Sequence, residues 1–518
     1  MMAHLFALFG RLAYGLTPGM LVNSRQALHD TTPPEPYLQI PEPRQLAWHQ
    51  TEFYGFAHFG PNTFTGEEWG RSQPFPDVFD PTRLDTDQWA KAFVDAGMGG
   101  LILTTKHHDG MCLWNTSTTP YKIENSRWAE SRRSQGLDTN IVAMAAQSCK
   151  KHGLKFGVYL SPWDINRDPA MPKPHLQGTE YDVPQIFGDD SEGDYNEFYS
   201  QQLLELVDMA LEDGSKIDLF EVWLDGASGS DTKQTFDFTR FRSIIREHQP
   251  NAVMWGHQGP DARWAGNEEG YTGEMNWHTI NSTPDDERLS EAALELGARD
   301  GKYWTPAEAN ARIRDGWFWH EEEEPKSSEA LLEMYMKSQG RSVNLLLNVG
   351  PDDTGRIPEK DSRALLEFQE ARNNFLGREL VTSKSHVTAS AIRGNDHEQF
   401  GPANAIDGQA DTYWTMDDDQ TTGWLEVNLG RHAKIEGFIV QEHIALGQRI
   451  GGYAWDVLVE DEWVEVATGV TMGYKRIDRL DSPVSASRAR LRITQANAVP
   501  LVRRVQILGS SCKRRSNA

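Results

Sequence analysis

Hydrophobic runs and amphipathic stretches alternate along most of the chain after the proline-rich segment Pro33–Pro43. Short apolar runs predict buried strands, here at residues 53–60, 99–106, 155–161, 219–225, 252–257, 263–268, 302–308 and 343–349. Longer stretches with one apolar face predict helices, at residues 83–96, 140–152, 195–213, 236–248, 327–339 and 361–376. This alternation indicates an α/β protein with a parallel sheet, and eight strands suffice for a closed (β/α)₈ barrel. Residues 257–263 leave no room for a helix, so we expect helices to be missing after the fifth strand.

The pattern changes at about residue 380. Short runs now alternate between apolar and polar positions, at residues 424–429, 435–440, 455–459, 463–466 and 489–493. Period-two alternation with short spacers predicts an all-β sandwich. We therefore divide the chain into a leader without an assigned role (1–35), a barrel (36–378), a β-sandwich (379–510) and a tail (511–518).

Composition narrows the class of partners. The formal net charge of −25 makes nucleic acid an unfavourable partner. The 17 tryptophans fit either a packed core or sugar binding, because indole offers a flat apolar face and an N–H donor. Cys112, Cys149 and Cys512 have no spacing typical of a zinc site or a disulfide framework. Residues 1–22 are apolar but interrupted by Arg11, which makes them a poor signal peptide and too short for a membrane span.

Three of the predicted strands end in the same way. Segments 53–60, 101–110 and 220–227 each run from apolar residues into a histidine or aspartate followed by glycine. In a parallel barrel these ends meet at the face that carries the active site. Taken alone, Asp225 could also cap the next helix, and each histidine could belong to the core.

The motifs HFGPNTFTGEEWG, TTKHHDGMCLWNT, VYLSPWD and EVWLDGA occur in this order along the barrel. Together they resemble the α-L-fucosidases of glycoside hydrolase family 29, and more closely the branch that removes α-1,3/1,4-linked fucose. AIDGQADTYWT followed by GWLEVNLG resembles the discoidin, or factor 5/8 type C, jelly roll. The resemblance implies a fucosylated oligosaccharide as partner and secretion or a periplasmic location. It also implies a C-terminal module that either contacts glycan or braces the barrel.

Retaining glycosidases need two carboxylates, one as nucleophile and one as acid/base. By resemblance, Asp225 in the Trp-x-Asp-Gly motif is the nucleophile. The Gly-Asn-Glu motif at 266–268 indicates Glu268 as the acid/base, with Glu269 and Glu274 as alternatives. Because adjacent residues of a strand point to opposite sides, we expect only one of Glu268 and Glu269 to face the substrate.

The resemblance also implies the residues of the −1 sugar subsite: His58, Glu68, Trp69, His107, His108 and Tyr159. Neutral imidazoles suit this task, because each offers one donor and one acceptor to sugar hydroxyls. The fucose methyl group needs an apolar wall, which we assign to Trp223 together with aromatic residues from the segment Trp317, Phe318 and Trp319. Glu308 is expected at the rim of the seventh strand.

The predicted function is that of a retaining exo-α-L-fucosidase without a cofactor. Broader linkage tolerance and activity on α-L-galactosides are alternatives within the same chemistry. A non-catalytic carbohydrate-binding protein is a further alternative. His107-His108-Asp109 could also ligate zinc, but adjacent histidines diverge on a strand, so we expect no metal.

Overall fold

The computed structural model describes residues 32–71, 75–170 and 194–511. Most of the predicted leader, with its apolar segment 1–22, lies outside the described residues, and so do Cys512 and the tail after residue 511. Within the described ranges, no helix is long and apolar enough to cross a membrane.

The first ten strands are short. They are β1 (Phe53–Ala57), β2 (Gly100–Lys106), β3 (Lys155–Leu160), β4 (Leu219–Trp223), β5 (Val253–Gly256), β6 (Ala262–Trp264), β7 (Thr279–Ile280), β8 (Tyr303–Trp304), β9 (Ala307–Arg312) and β10 (Asn344–Asn348). All except β7 and β8 pair in parallel and close a barrel in the order β1-β10-β9-β6-β5-β4-β3-β2. The predicted barrel of eight parallel strands is therefore confirmed.

Ten α-helices lie in the described parts of the chain. They are α1 (Pro43–His49), α2 (Pro61–Thr65), α3 (Thr86–Asp95), α4 (Arg127–Ser134), α5 (Ile141–His152), α6 (Tyr195–Val207), α7 (Phe238–His248), α8 (Glu291–Leu296), α9 (Ser328–Lys337) and α10 (Glu359–Leu376). Side chains accept backbone hydrogen bonds at several helix starts, such as Asp85 at α3, Asn140 at α5 and Asp237 at α7. Residues 257–261 connect β5 to β6 without a helix, as expected.

Two strand predictions differ from the structure. The sixth strand was predicted at 263–268 but ends at Trp264, because Gly266 adopts a positive φ and turns the chain. The seventh was predicted at 302–308, but the barrel strand is β9. Tyr303 and Trp304 instead form β8, which pairs antiparallel with β7, and Trp304 packs against the C-terminal domain. In β9 the polar residues occupy every second position, so it lacks the apolar run that predicts a strand.

The barrel has two apolar layers. Its outer surface packs against the helices through a large buried cluster that includes Trp89, Phe93 and Leu203. Its interior holds a separate cluster that is rich in aromatic residues: Trp48, Tyr54, Phe56, Ile102, Tyr159, Trp223, Val253, Trp255, Ala262 and Leu346. The interior is thus filled with side chains, as in other barrels of this size.

The C-terminal domain is all-β, as predicted, and its strands pair antiparallel. Its strands are β11 (His386–Ala389), β12 (Gly423–Glu442), β13 (Ile450–Val459), β14 (Glu462–Gly469), β15 (Arg476–Ala496) and β16 (Val502–Ser511). They pair in the order β11-β12-β15-β13-β14, and β16 pairs with β12. The two runs predicted at 424–429 and 435–440 belong to one strand, β12, whose register shifts between them.

Polar and aromatic contacts join the two domains. Lys475 forms an ion pair with Glu52, and Arg476 Nη2 lies 3.0 Å from Glu274 Oε2. The ring of His49 from α1 stacks on that of Tyr474, with centroids 5.3 Å apart. The C-terminal domain therefore contacts both the start of the barrel and the long segment after β6.

Candidate active site

A cavity of about 100 Å³ opens where the barrel strands end. Its walls come from residues at or after the ends of six strands and from the loop after α2: Phe56, His58, Glu68, Trp69, His107, His108, Tyr159, Trp223, Asp225, Ala227, Glu268, Asn310 and Trp317. Ten of the predicted site residues are among them. Phe318 and Trp319, both predicted for the apolar wall, do not line the cavity, and Trp319 is half-buried.

Asp225 follows β4 and is fixed by two donors. The Tyr159 hydroxyl donates to Asp225 Oδ2 at 2.8 Å, and the backbone N–H of Ala227 donates to Oδ1 at 2.8 Å. Burial and the Asp225 charge raise the pKa of Tyr159 well above its usual range, so the phenol keeps its proton. The side chain of Asp225 is only 18% exposed, and its carboxylate faces the cavity in one defined orientation.

Glu268 lies in the loop after β6, on the wall of the same cavity. Partial burial raises its pKa, and the Asp225 charge adds to the rise. Arg312 opposes it, with Nη1 3.9 Å from Glu268 Oε2. A carboxyl group with a raised pKa beside an ionised one is the combination that an acid and a nucleophile require.

The two alternatives to Glu268 lie elsewhere. Glu269 is exposed and does not line the cavity. Glu274 is engaged by Arg341 and Arg476 at the contact with the C-terminal domain. Only Glu268 of the two lines the cavity, but strand alternation is not the reason, because both residues lie beyond the end of β6.

His58 is held in one tautomer. Asn348 Oδ1 accepts from both the backbone N–H and Nδ1 of His58, at 3.2 and 2.8 Å. Nδ1 therefore carries the proton, which leaves Nε2 as an acceptor. Burial lowers the pKa of His58 to about 3, so the imidazole is neutral.

His107 and His108 both line the cavity, with ring centroids 4.3 Å apart. The prediction that they diverge was wrong, because β2 ends at Lys106 and strand alternation does not continue into the loop. His108 Nδ1 lies 2.7 Å from Ser161 Oγ, and its Nε2 lies 3.6 Å from Asp225 Oδ2. Burial lowers the pKa of both imidazoles, so they are neutral hydrogen-bonding groups.

Glu68 and Trp69 reach the cavity from the loop after α2. Glu68 accepts from the backbone N–H of Trp317 at 3.0 Å, and its other oxygen lies 2.8 Å from His320 Nε2. Trp69 packs edge-on against His108 with centroids 5.1 Å apart. Gly70 permits this approach: its φ is +66°, and a Cβ atom there would lie 2.5 Å from Asp109 Cβ.

Aromatic residues form one wall of the cavity. Trp223 stacks on Trp255 at 3.4 Å with nearly parallel rings, and Phe56 and Tyr159 flank it at 5.4 and 5.7 Å. Trp317 lines the cavity as predicted, with the Arg312 guanidinium 5.2 Å from its ring centroid. Such a wall suits the methyl group and C–H faces of a deoxysugar.

Glu308 differs from its prediction. It is fully buried inside the barrel rather than at the rim of the strand, because it lies on the inward face of β9. Its carboxyl group accepts hydrogen bonds from the Tyr54 hydroxyl and from Trp223 Nε1. Phe318 is also buried, with its ring edge-on to His58 and His107 at 5.4 and 5.1 Å.

Sequence analysis missed four residues of the site: Phe56, Asn310, Arg312 and Asn348. Asn310 and Arg312 share the inward face of β9 with Glu308, where the sequence alternates as Ala-Glu-Ala-Asn-Ala-Arg. Such alternation of small and polar residues was the available signal. The Asn348 side chain holds His58, but it could not be distinguished from a turn residue by sequence.

A metal site is not formed by the histidine pair. Across residues 32–71, 75–170 and 194–511, no group of three or more histidine, cysteine or acidic side chains is arranged to hold a metal ion. Asp109, the third residue of the motif, is buried, and its Oδ1 accepts from the backbone N–H of Met111 at 2.8 Å.

Three neutral imidazoles and the carboxyl groups of Glu68, Asp225 and Glu268 surround one cavity at the end of a (β/α)₈-like barrel. A pair of carboxyl groups in such a cavity is what a glycosidase requires. The profile of the alpha-L-fucosidase family matches residues 38–370, and that of the F5/8 type C domain matches residues 385–506. The chain therefore belongs to the α-L-fucosidase family, glycoside hydrolase family 29, and carries a C-terminal discoidin-type domain.

Relatives support this assignment over nearly the whole chain. Alpha-L-fucosidase 1 of Arabidopsis thaliana is 36% identical over 473 residues, which cover 90% of this chain and 87% of that protein. Among solved structures, a family 29 fucosidase of Ruminococcus gnavus in complex with fucose is 29% identical, with a TM-score of 0.81 and coverage of 93% and 97%. SpGH29 is 32% identical, with a TM-score of 0.80 and coverage of 92% and 100%.

Proposed function

We propose that the chain is a retaining exo-α-L-fucosidase with Asp225 as nucleophile and Glu268 as acid/base. The observation that carries the proposal is the placement of both carboxyl groups on the wall of a single cavity. Their environments differ in the required direction, because Asp225 accepts two hydrogen bonds whereas the pKa of Glu268 is raised by partial burial.

In the first step, an oxygen of Asp225 attacks C1 of the fucosyl group and Glu268 donates its proton to the departing glycosidic oxygen. The C1–O bond to the aglycone breaks and a fucosyl ester of Asp225 forms. In the second step, Glu268 removes a proton from water, the water oxygen attacks C1, and the carboxylate of Asp225 leaves. The sugar is released and both residues regain their starting protonation states.

The neutral imidazoles of His58, His107 and His108 serve this chemistry by binding hydroxyls. His58 Nε2 is free to accept, since its Nδ1 proton is held by Asn348. Ionised imidazoles would lose their acceptor atoms, so the low pKa values preserve the hydrogen-bonding pattern at the pH where the enzyme works.

Product stereochemistry tests the retaining mechanism. We expect proton NMR to show α-L-fucose as the first product of an aryl α-L-fucoside, before mutarotation forms the β anomer. Initial appearance of β-L-fucose would indicate direct attack by water and would contradict the role of Asp225 as nucleophile. Authentic α-L-fucose dissolved in the same buffer gives the rate of mutarotation.

We also propose a preference for α-1,3/1,4-linked fucose on branched acceptors. Its support is the occurrence of TGEEWG and GNEEG together with a C-terminal discoidin-type module. Binding energy from a neighbouring galactose would order the loop after β6 that carries Glu268. A substrate without that galactose would therefore be hydrolysed with a lower kcat as well as bound with lower affinity. The comparison is kcat/KM on Lewis a and Lewis x trisaccharides against 2′-fucosyllactose. Equal or faster hydrolysis of 2′-fucosyllactose would place the enzyme among broad-specificity fucosidases.

A further inference from the structure

Two glutamate side chains lie inside the barrel beneath the sugar cavity. Glu221 on β4 and Glu308 on β9 are both fully buried. The side chains that hydrogen-bond to them come from Trp48, Tyr54 and Trp223, none of which carries a positive charge. The mechanism above uses neither carboxyl group, and burying two negative charges side by side without a cation would be strongly unfavourable.

The hydrogen bonds around the two carboxyl groups are unequal. Glu308 accepts from the Tyr54 hydroxyl through one oxygen and from Trp223 Nε1, at 2.9 Å, through the other. Glu221 Oε2 accepts from Trp48 Nε1 at 2.8 Å, but Oε1 finds no donor within the part of the chain that the structure describes. A proton on Glu221 that is donated to Glu308 satisfies this buried oxygen and removes one of the two charges.

Electrostatics agree with this arrangement. Burial raises the pKa of Glu221 well above its usual range, the neighbouring charge of Glu308 adds to the rise, and hydrogen bonds from Trp48 and Tyr54 oppose it. Burial also raises the pKa of Glu308, but hydrogen bonds from Glu221, Tyr54 and Trp223 oppose that rise. The oxygen of Glu221 that lacks a donor, beside a Glu308 whose two oxygens both accept, assigns the proton to Glu221.

We propose that Glu221 and Glu308 share one proton and act as a positioning pair for Trp223, so that the interior of the barrel fixes one wall of the sugar cavity. The inference rests on the proposed function in taking fucose as the ligand of that cavity. Neither glutamate lines the sugar cavity. They act through the indole N–H, which Glu308 holds in place.

The geometry links this pair to the nucleophile. With its N–H directed into the barrel, the indole of Trp223 stacks on Trp255 and packs 5.7 Å from the ring of Tyr159. Tyr159 in turn donates to Asp225. If the indole lost its acceptor it could rotate, and both the cavity wall and the support of Tyr159 would change.

Two isosteric variants separate the roles. In Glu221→Gln the amide supplies a fixed N–H in place of the shared proton and still accepts from Trp48, so we expect inhibition by fucose within twofold of the unmodified enzyme. In Glu308→Gln only one acceptor oxygen remains for the Tyr54 hydroxyl and the N–H of Trp223, which donate to separate oxygens of the carboxylate, so we expect at least tenfold weaker inhibition. KM and kcat on an aryl fucoside and the thermal unfolding midpoint are measured alongside.

A double-mutant cycle tests whether Glu308 acts through the indole. Trp223→Phe removes the N–H and keeps a ring. If Glu308 acts through the indole, the double variant Trp223→Phe/Glu308→Gln should be inhibited by fucose less than twofold more weakly than the single variant Trp223→Phe. Three results would overturn the proposal. The effects of Trp223→Phe and Glu308→Gln could be fully additive, or Glu221→Gln and Glu308→Gln could weaken fucose inhibition equally. Glu308→Gln could also lose thermal stability without any change in fucose inhibition.

The shared proton has its own test, which needs neither fucose nor a folded Glu308→Gln variant. The titratable groups that face Glu221 are Glu308 and Tyr54, and burial keeps Tyr54 neutral. Above the usual glutamate pKa of about 4.3, the unfolded chain has lost the Glu221 proton but the folded enzyme keeps it. The free energy of unfolding therefore falls as pH rises through this range.

Glu221→Gln lacks this proton. From pH 5 to pH 8, the unfolding midpoint of the unmodified enzyme should therefore fall further than that of the variant, with unfolding releasing one more proton. Parallel midpoints would overturn the shared proton. Failure of the unmodified enzyme to cleave fucosides would contradict the proposed function and leave this comparison intact.

Discussion

Removing the positive charge of Arg312 should move the pH dependence of catalysis by a definable amount. Arg312 Nη1 lies 3.9 Å from Glu268 Oε2, and this charge holds down a pKa that burial and Asp225 raise. Two unit charges about 4 Å apart interact by about 1 kcal/mol in water. The aqueous value applies because the two side chains are 27% and 45% exposed. One pKa unit corresponds to about 1.4 kcal/mol, so Arg312→Met should raise the Glu268 pKa by about 0.7 unit.

The assay is the pH profile of kcat/KM, whose alkaline limb reports the essential acid of the free enzyme. A higher pKa keeps Glu268 protonated to higher pH, so the limb should move up by about 0.7 unit at low ionic strength and by less in salt. Arg312→Lys retains the charge and should leave the limb near its original position. Glu269→Gln removes a negative neighbour that raises the same pKa, and should move the limb down.

Two results would refute this reasoning. A limb that stays in place or moves down in Arg312→Met would mean that Glu268 is not the acid that controls it. Shifts of Arg312→Met and Glu269→Gln in the same direction would point to a general change of the loop instead of electrostatics. Loss of the packing of Arg312 on Trp317 alters the height of the profile, whereas the position of its limb follows the pKa.

Further variants test the remaining assignments. Asp225→Asn should lower kcat at least a hundredfold while circular dichroism and fucose binding stay unchanged, and a smaller loss would exclude it as the covalent nucleophile. Glu268→Ala should lose activity on oligosaccharides and regain it with azide on an activated aryl fucoside, yielding α-L-fucosyl azide because azide attacks the fucosyl ester of Asp225; failure of rescue would move the acid/base role to another residue. Glu274→Gln should keep kcat but lower the thermal unfolding midpoint, because it breaks ion pairs with Arg341 and Arg476. Activity should survive EDTA, and loss on chelation with recovery on added zinc would contradict the metal-free mechanism.

Sequence patterns predicted the fold where the chain follows a simple period. β2, β3 and β4 are mainly apolar, and each lies within its predicted range. β9 was misplaced because its inward positions are polar, so burial inside the barrel does not appear as hydrophobicity. The real signal there is alternation, which a search for apolar runs overlooks.

The site was predicted mainly through its resemblance to a family, and the geometry explains where residue-level reasoning failed. Strand alternation was extended past the ends of β2 and β6, so the paired histidines and Glu268 were treated as strand residues. Gly266 turns the chain before Glu268, and the loop after Lys106 brings both imidazoles into the cavity. Long-range contacts such as that of Asn348 with His58 have no local signature.

The contact between the domains has a consequence for how such enzymes can be recombined. Only a few residues separate Glu268 from Glu274. Glu274 forms ion pairs with Arg341 and with Arg476 of the C-terminal domain. Asn276 and His278 extend this attachment through backbone N–H groups that donate to Thr471 and Gln448. The loop that carries Glu268, the proposed proton donor, is therefore attached to the C-terminal domain. Replacing the C-terminal domain with that of another enzyme would remove these contacts. The barrel and the C-terminal domain would therefore have to be exchanged together.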